Sequence, residues 1–212
     1  MSANDLFGLW VQVQFILLGC LTLIDFIRHR DKTRLDIALM FGSLAMLFLI
    51  QTLEEATRVQ LKWIDTIGII ALITQPIFML RLVQYFRPVP TLLMRFAWIG
   101  LAVSSIAFIM ADYFSRTGAL IALLAIIGYF VALEGYAALS FVRGVAETSG
   151  SVRHRLRFAA AGSGLLALAL LNLAFGGLIP DLADIFTSIV LLAAIGSGLA
   201  FYVGFAPPRG LR

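Results

Sequence analysis

Glu134, in GYFVALEGYAALSF, and Arg81, in TQPIFMLRLVQYF, are charged residues set in apolar surroundings. Glu134 lies about nine residues before Arg143, and Arg81 about six before Arg87. An ionisable side chain in such a setting costs several kcal/mol unless it is paired or hydrated, so each one needs a chemical reason. The two depths differ by a few residues, within reach of an extended arginine. The pattern therefore predicts a buried Glu134–Arg81 ion pair that could act as a switch, joined by Asp25 near the inner end of the first helix. The competing arrangement has Arg81 reaching the inner surface along its own stem, with Glu134 protonated or facing water.

Uncharged polar residues continue the stripe: Gln12, Gln14, Gln51, Gln75, Tyr129, Tyr136 and Asn172, with Glu54 and Glu55 at the outer mouth. Gln51, Glu54, Gln75, Tyr129, Tyr136 and Asn172 are the candidate lining of a small ligand pocket. Taken one by one, the same residues fit better as hydrogen-bonding ties between helices.

Much other chemistry is excluded. The two histidines, His29 and His154, stand among arginines in loops, so neither a bis-histidine haem nor a zinc site of the usual ligands is expected within the membrane. No retinal is expected, because Lys32 and Lys62 are the only lysines and both mark helix ends. Ser163 has no nearby histidine to act as its base, so serine hydrolysis is unsupported. No cofactor, metal site or catalytic residue is predicted, and the chain does not read as an enzyme. Cys20 reads as a small apolar packer.

These residues are carried by an apolar chain. Of 212 residues, 61% are hydrophobic and 13% charged, and the mean hydropathy is +0.97. A soluble domain needs more polar surface than that, so lipid must be the solvent for most of the chain. A membrane-spanning helix takes about 20 mostly apolar residues. Seven such windows are legible, at about 6–28, 36–57, 64–86, 91–113, 118–143, 157–178 and 182–205. The fold class is thus all-α, a seven-transmembrane-helix bundle over residues 1–206, with 207–212 starting a linker.

Loop charges predict its orientation. Arg28, Arg30, Lys32, Arg34, Arg87, Arg95, Arg143, Arg153, Arg155, Arg157, Arg209 and Arg212 fall on one side, and Arg58, Lys62 and Arg116 on the other. Positive residues concentrate on the cytoplasmic side, which puts the N-terminus outside and the C-terminus inside. With every basic cluster near a helix end, the net charge of +4 points to lipid headgroups and not to nucleic acid.

Prolines punctuate the pattern. Pro88 and Pro90 stop the third helix, and Pro76 inside it predicts a kink. Small residues are concentrated in the last two helices: AAAGSG at 159–164, FGG at 175–177, and Gly196, Ala200 and Gly204 at four-residue spacing. Such spacing lets backbones approach closely, within the bundle or along a homodimer seam.

Three stretches together resemble the N-terminal seven-helix sensor region of bacterial membrane histidine kinases of the GAF- or PAS-linked type. They are LRLVQYFRPVP, SGSVRHRLRFAAAGSGLLAL and FYVGFAPPRGLR. The resemblance implies a receptor module of the bacterial cytoplasmic (inner) membrane, part of a two-component system. Its signal would be a small or lipophilic ligand or the state of the bilayer, and its output a cytoplasmic signalling domain in cis or in trans. Pro207, Pro208 and Arg209 would be the coupling point, with any kinase activity beyond Arg212. Gly210 stands where the family pattern has an aromatic. The alternative, from a different class, is a small transporter or channel with a polar path through Glu134 and Arg81.

Overall fold

A computed structural model describes residues 3–59 and 62–205. Among these, seven helices are long and apolar enough to cross a membrane, and no strand occurs. Lipid offers no hydrogen-bond partners, so the backbone of each crossing must satisfy itself, and an unbroken helix does so. The helices are α1 (Ala3–His29), α2 (Lys32–Thr57), α3 (Lys62–Gln84), α4 (Thr91–Ile109), α5 (Arg116–Glu147), α6 (Gly150–Leu178) and α7 (Ala183–Phe205).

The ends follow local chemistry. Asp31 caps α2 by accepting from the Thr33 amide at 2.8 Å, and Ser115 caps α5 by accepting from the Gly118 amide at 3.2 Å. Arg30 and Arg58 take left-handed backbone conformations, φ 51° and 56°, at the ends of α1 and α2. Single 3₁₀ turns, Ala111–Tyr113 and Pro180–Leu182, carry the chain between α4 and α5 and between α6 and α7.

Two boundaries differ from the sequence expectation. The segment expected as a loop before residue 157 is helical from Gly150, and α5 runs on to Glu147, leaving only Thr148 and Ser149 between them. Hydropathy marks where lipid ends, whereas Arg and Leu remain good helix formers in water. At 32 residues, α5 is roughly 48 Å long. Conversely, α4 stops at Ile109, where the chain tightens into the 3₁₀ turn. α3 runs unbroken through Pro76, which has no amide hydrogen to give the Leu72 carbonyl.

Neighbours in sequence pack side by side, α1 closes against α7, and α3 meets α5 directly. That contact leaves α4 on the outside, packed chiefly on α3 and α5. Ala97 and Ser104 are its buried residues, while Phe96, Trp98, Ile99, Val103 and Ile106 face outward. The centre is filled by Phe15, Met40, Phe41, Ile77, Met79, Leu80, Ala137, Phe141 and Phe201. Cys20 is exposed on α1 and does not pack inside.

The small residues do bring backbones together. α6 and α7 form the most extensive helix pair. A Cβ on Gly204 would stand 3.1 Å from the Ala159 amide nitrogen and 3.2 Å from the Arg155 carbonyl oxygen. A Cβ on Gly162 would enter the Phe201 ring at 2.5–2.9 Å. Gly204 and Gly162 thus serve packing inside the bundle. The α1–α7 seam uses polar links as well: Gln14 Nε2 donates to the Ile195 carbonyl at 3.0 Å, and Ser188 Oγ donates to Asn4 Oδ1 at 3.1 Å. A side chain at Gly198 would collide with the Gln14 carboxamide.

Candidate functional site

The charged residues of the core do not pair as the sequence suggested. Arg81 turns to α2, where its Nη2 lies 2.9 Å from Oδ1 of Asp36. Tyr85, in the turn just past the end of α3, donates its hydroxyl to the other oxygen, Oδ2, also at 2.9 Å. Arg81 and Tyr85 thus straddle one carboxylate. Asp36 is 1% exposed, while the Arg81 side chain is 42% exposed. Burial and donation to the Asp36 carboxylate both hold the Tyr85 phenol above its ordinary pKa, burial being the larger cause. The expected Glu134–Arg81 pair is therefore replaced by Arg81–Asp36. The reason is rotational: axial depth was compatible with either carboxylate, but Arg81 points across the α2–α3 contact.

Asp25 belongs elsewhere too. It accepts from Arg34 Nη1 at 2.8 Å and lies 3.3 Å from His29 Nδ1, half-exposed at the end of α1. It joins α1 to the start of α2 and is not part of the core pair.

Glu134 remains, with no exposed surface. Gln75 of α3 and Ser163 of α6, each also fully buried, are the polar neighbours of its carboxyl. Neither carboxyl oxygen of Glu134 has a well-directed hydrogen bond, nor do Gln75 Oε1 and Nε2 or Ser163 Oγ. Buried polar groups are nearly always partnered, so five unpartnered atoms on three adjacent side chains mark an unusual locus.

The locus adjoins the contact between α6 and α7. Gly162, next to Ser163, carries the Phe201 ring against its backbone and accepts from Ser197 Oγ at 2.9 Å. Phe201 stacks on Phe205 with centroids 5.9 Å apart and meets Phe41 of α2 edge-on at 5.9 Å. Phe205 also meets Phe141 of α5 at 6.2 Å. The Nε of Arg155 donates to the Gly204 carbonyl at 2.9 Å, fastening the last turn of α7 to the start of α6.

The candidate pocket residues do not line one cavity. Gln51 and Glu54 border an open depression with Glu55 and Arg58 at the arginine-poor end. Tyr129 faces α4, its hydroxyl donating to the Ala97 carbonyl at 3.3 Å. Asn172 donates to the Leu168 carbonyl of its own helix at 2.8 Å. Tyr136 packs half-buried against apolar neighbours. Gln75 is the pocket residue that joins Glu134. Pro207, Pro208 and Arg209 lie outside the described residues.

Two members of these sites were missed in the sequence. Asp36, in RLDIALM, is the first residue of the 36–57 window, so it lacked the depth that drew attention to Glu134. Ser163 was weighed only as a nucleophile, not as a hydroxyl partner for a buried acid.

No family model, curated protein or solved structure gives a significant match to the chain. Its class rests on the fold itself. The chain is an integral membrane protein, an all-α bundle of seven membrane-crossing helices among the described residues, in contact with the lipid bilayer.

Proposed function

We propose that this bundle is a sensory module of the bacterial cytoplasmic membrane, with its N-terminus outside and its arginine-rich end in the cytoplasm. A small or lipophilic ligand, or a change in the bilayer, shifts helix packing around the polar core. The shift passes down α7 to a cytoplasmic signalling domain such as a histidine kinase, in cis or in trans. One observation carries the reading: Ser163, beside the buried Glu134, is the immediate neighbour of Gly162, on which α7 rests through Phe201. A change at the acid thereby reaches the aromatic contacts of the last turn of α7. A signal acts this way only if it binds two packings unequally, and interlocking side chains favour discrete alternatives over continuous drift.

Spin labels at Leu199, exposed on α7, and at Leu92, near the start of the peripheral helix α4, test the relay in lipid nanodiscs. Candidate lipophilic signals should change the distance between the two labels, and the chain in sealed liposomes should move neither protons nor organic solutes. Robust flux by the chain alone would overturn the sensory reading in favour of a transporter. A reporter fused at the C-terminus that is active only on the outer side would overturn the orientation.

A further inference from the structure

We infer that Glu134, Gln75 and Ser163 form a proton-binding site, in which Glu134 is a neutral carboxylic acid paired with the carboxamide of Gln75. The inference deepens the sensory reading by naming the ligand of its polar core. An ionised carboxylate here would be a charge without surface exposure and, among the described residues, without an ion-pair partner.

The surroundings can be followed helix by helix. α3 presents Gln75, and its Arg81 is six residues further on, roughly 9 Å along the axis, and committed to Asp36. α6 presents Ser163, and its nearest cation, Arg157, is also six residues away. The only titratable residue of α4 is Arg95, which is exposed near the start of that helix. On α5 itself, Tyr129 points to α4, Tyr136 packs against apolar neighbours, and Arg143 is nine residues away. The short turn before α5 contributes Tyr113, which is 83% exposed and 21 residues from Glu134. Burial and the two neutral neighbours are what act on the carboxyl.

The donor and acceptor inventory then favours one proton more than the carboxylate form holds. A carboxylate only accepts, so the Gln75 amide and Ser163 hydroxyl could donate to it while Gln75 Oε1 would stay unpartnered. A carboxylic acid donates to Gln75 Oε1 and accepts from Gln75 Nε2, the two-bond acid–amide pair. Ser163 Oγ then donates to the remaining lone pairs. The same five atoms that lack partners are the ones this arrangement satisfies. A proton is also the one ligand that needs no cavity. Its binding and loss change the charge beside Gly162, where α7 rests.

The chain has glutamates at 54, 55, 134 and 147, of which only Glu134 is buried, so ¹³C-glutamate labelling isolates the signal in the unaltered protein. Infrared difference spectra of the full chain in lipid nanodiscs, at neutral pH, should show a ¹³C-shifted carbonyl band of a protonated acid. The band should be lost in Glu134→Gln and should shift in Gln75→Leu. Absence of a protonated glutamate band in the labelled unaltered protein would overturn the site, even if Glu134→Gln fails to fold. A band unmoved by Gln75→Leu would overturn the acid–amide pair. The sensory reading fails by a different result: a protonated band together with proton flux in liposomes leaves the site standing and removes the sensor.

Discussion

Breaking the α2–α3 ion pair from its two ends should have unequal effects. Asp36 is 1% exposed, so replacing Arg81 with Met, which retains the apolar stem, leaves a carboxylate buried against lipid and protein. Stranding a buried charge in this way costs about 3–5 kcal/mol. Replacing Asp36 with Ala instead frees Arg81, 42% exposed, and Tyr85, 46% exposed, both near the arginine-rich end where headgroups and water are within reach. What is lost there is the charge-assisted hydrogen bonding, about 1.5–3 kcal/mol. In the double variant no carboxylate remains to be stranded. It should be more stable than Arg81→Met alone by about 1–3 kcal/mol, so the two effects are far from additive, as expected for residues in contact. Equilibrium unfolding in mixed micelles with a denaturing detergent measures all four corners of the cycle. If Asp36→Ala proves as costly as Arg81→Met, or if the two effects simply add, the burial argument for this pair is wrong.

Three further outcomes follow from the same geometry. The Tyr85 phenol is held above its ordinary value of 10.0, so the folded chain grips that proton more tightly than the unfolded chain does. Its contribution to stability is present below about pH 10 and lost as pH rises through the folded value, so thermal unfolding at alkaline pH should decline more steeply in the unaltered protein than in Tyr85→Phe. Gly162→Ala would drive a methyl into the Phe201 ring and should cost about 1–3 kcal/mol. Gly164→Ala, two residues along on the same helix with open space around it, should be neutral or stabilise by up to about 1 kcal/mol, and detergent unfolding compares the pair directly.

How much was legible from residues alone varied with the kind of question. Seven lipid-solvated windows read directly as seven helices, because a backbone in hydrocarbon has few other ways to satisfy its hydrogen bonds. The small residues at 159–164 and at 196, 200 and 204 signalled close approach, and Gly162 and Gly204 do lie at the α6–α7 contact. Helix ends in water were less legible: α6 begins seven residues before its apolar window, where hydropathy carries no signal.

The ordering of the polar core was not legible. Glu134 is buried, as its setting implied, whereas Arg81 keeps a 42% exposed side chain, and the partners of both depend on which way each helix is rotated and which helices touch. Because α3 meets α5 while α4 stands outside, Gln75 reaches Glu134 and Tyr129 turns away. Because Arg81 near the end of α3 and Tyr85 in the turn after it both face α2, Asp36 takes the cation. The sequence by itself determined that lipid is the solvent, how many helices cross it and which residues must justify being there. Tertiary structure decided who meets whom, because axial depth follows from position along a helix, whereas pairing follows from rotation about it and from the neighbours the fold supplies.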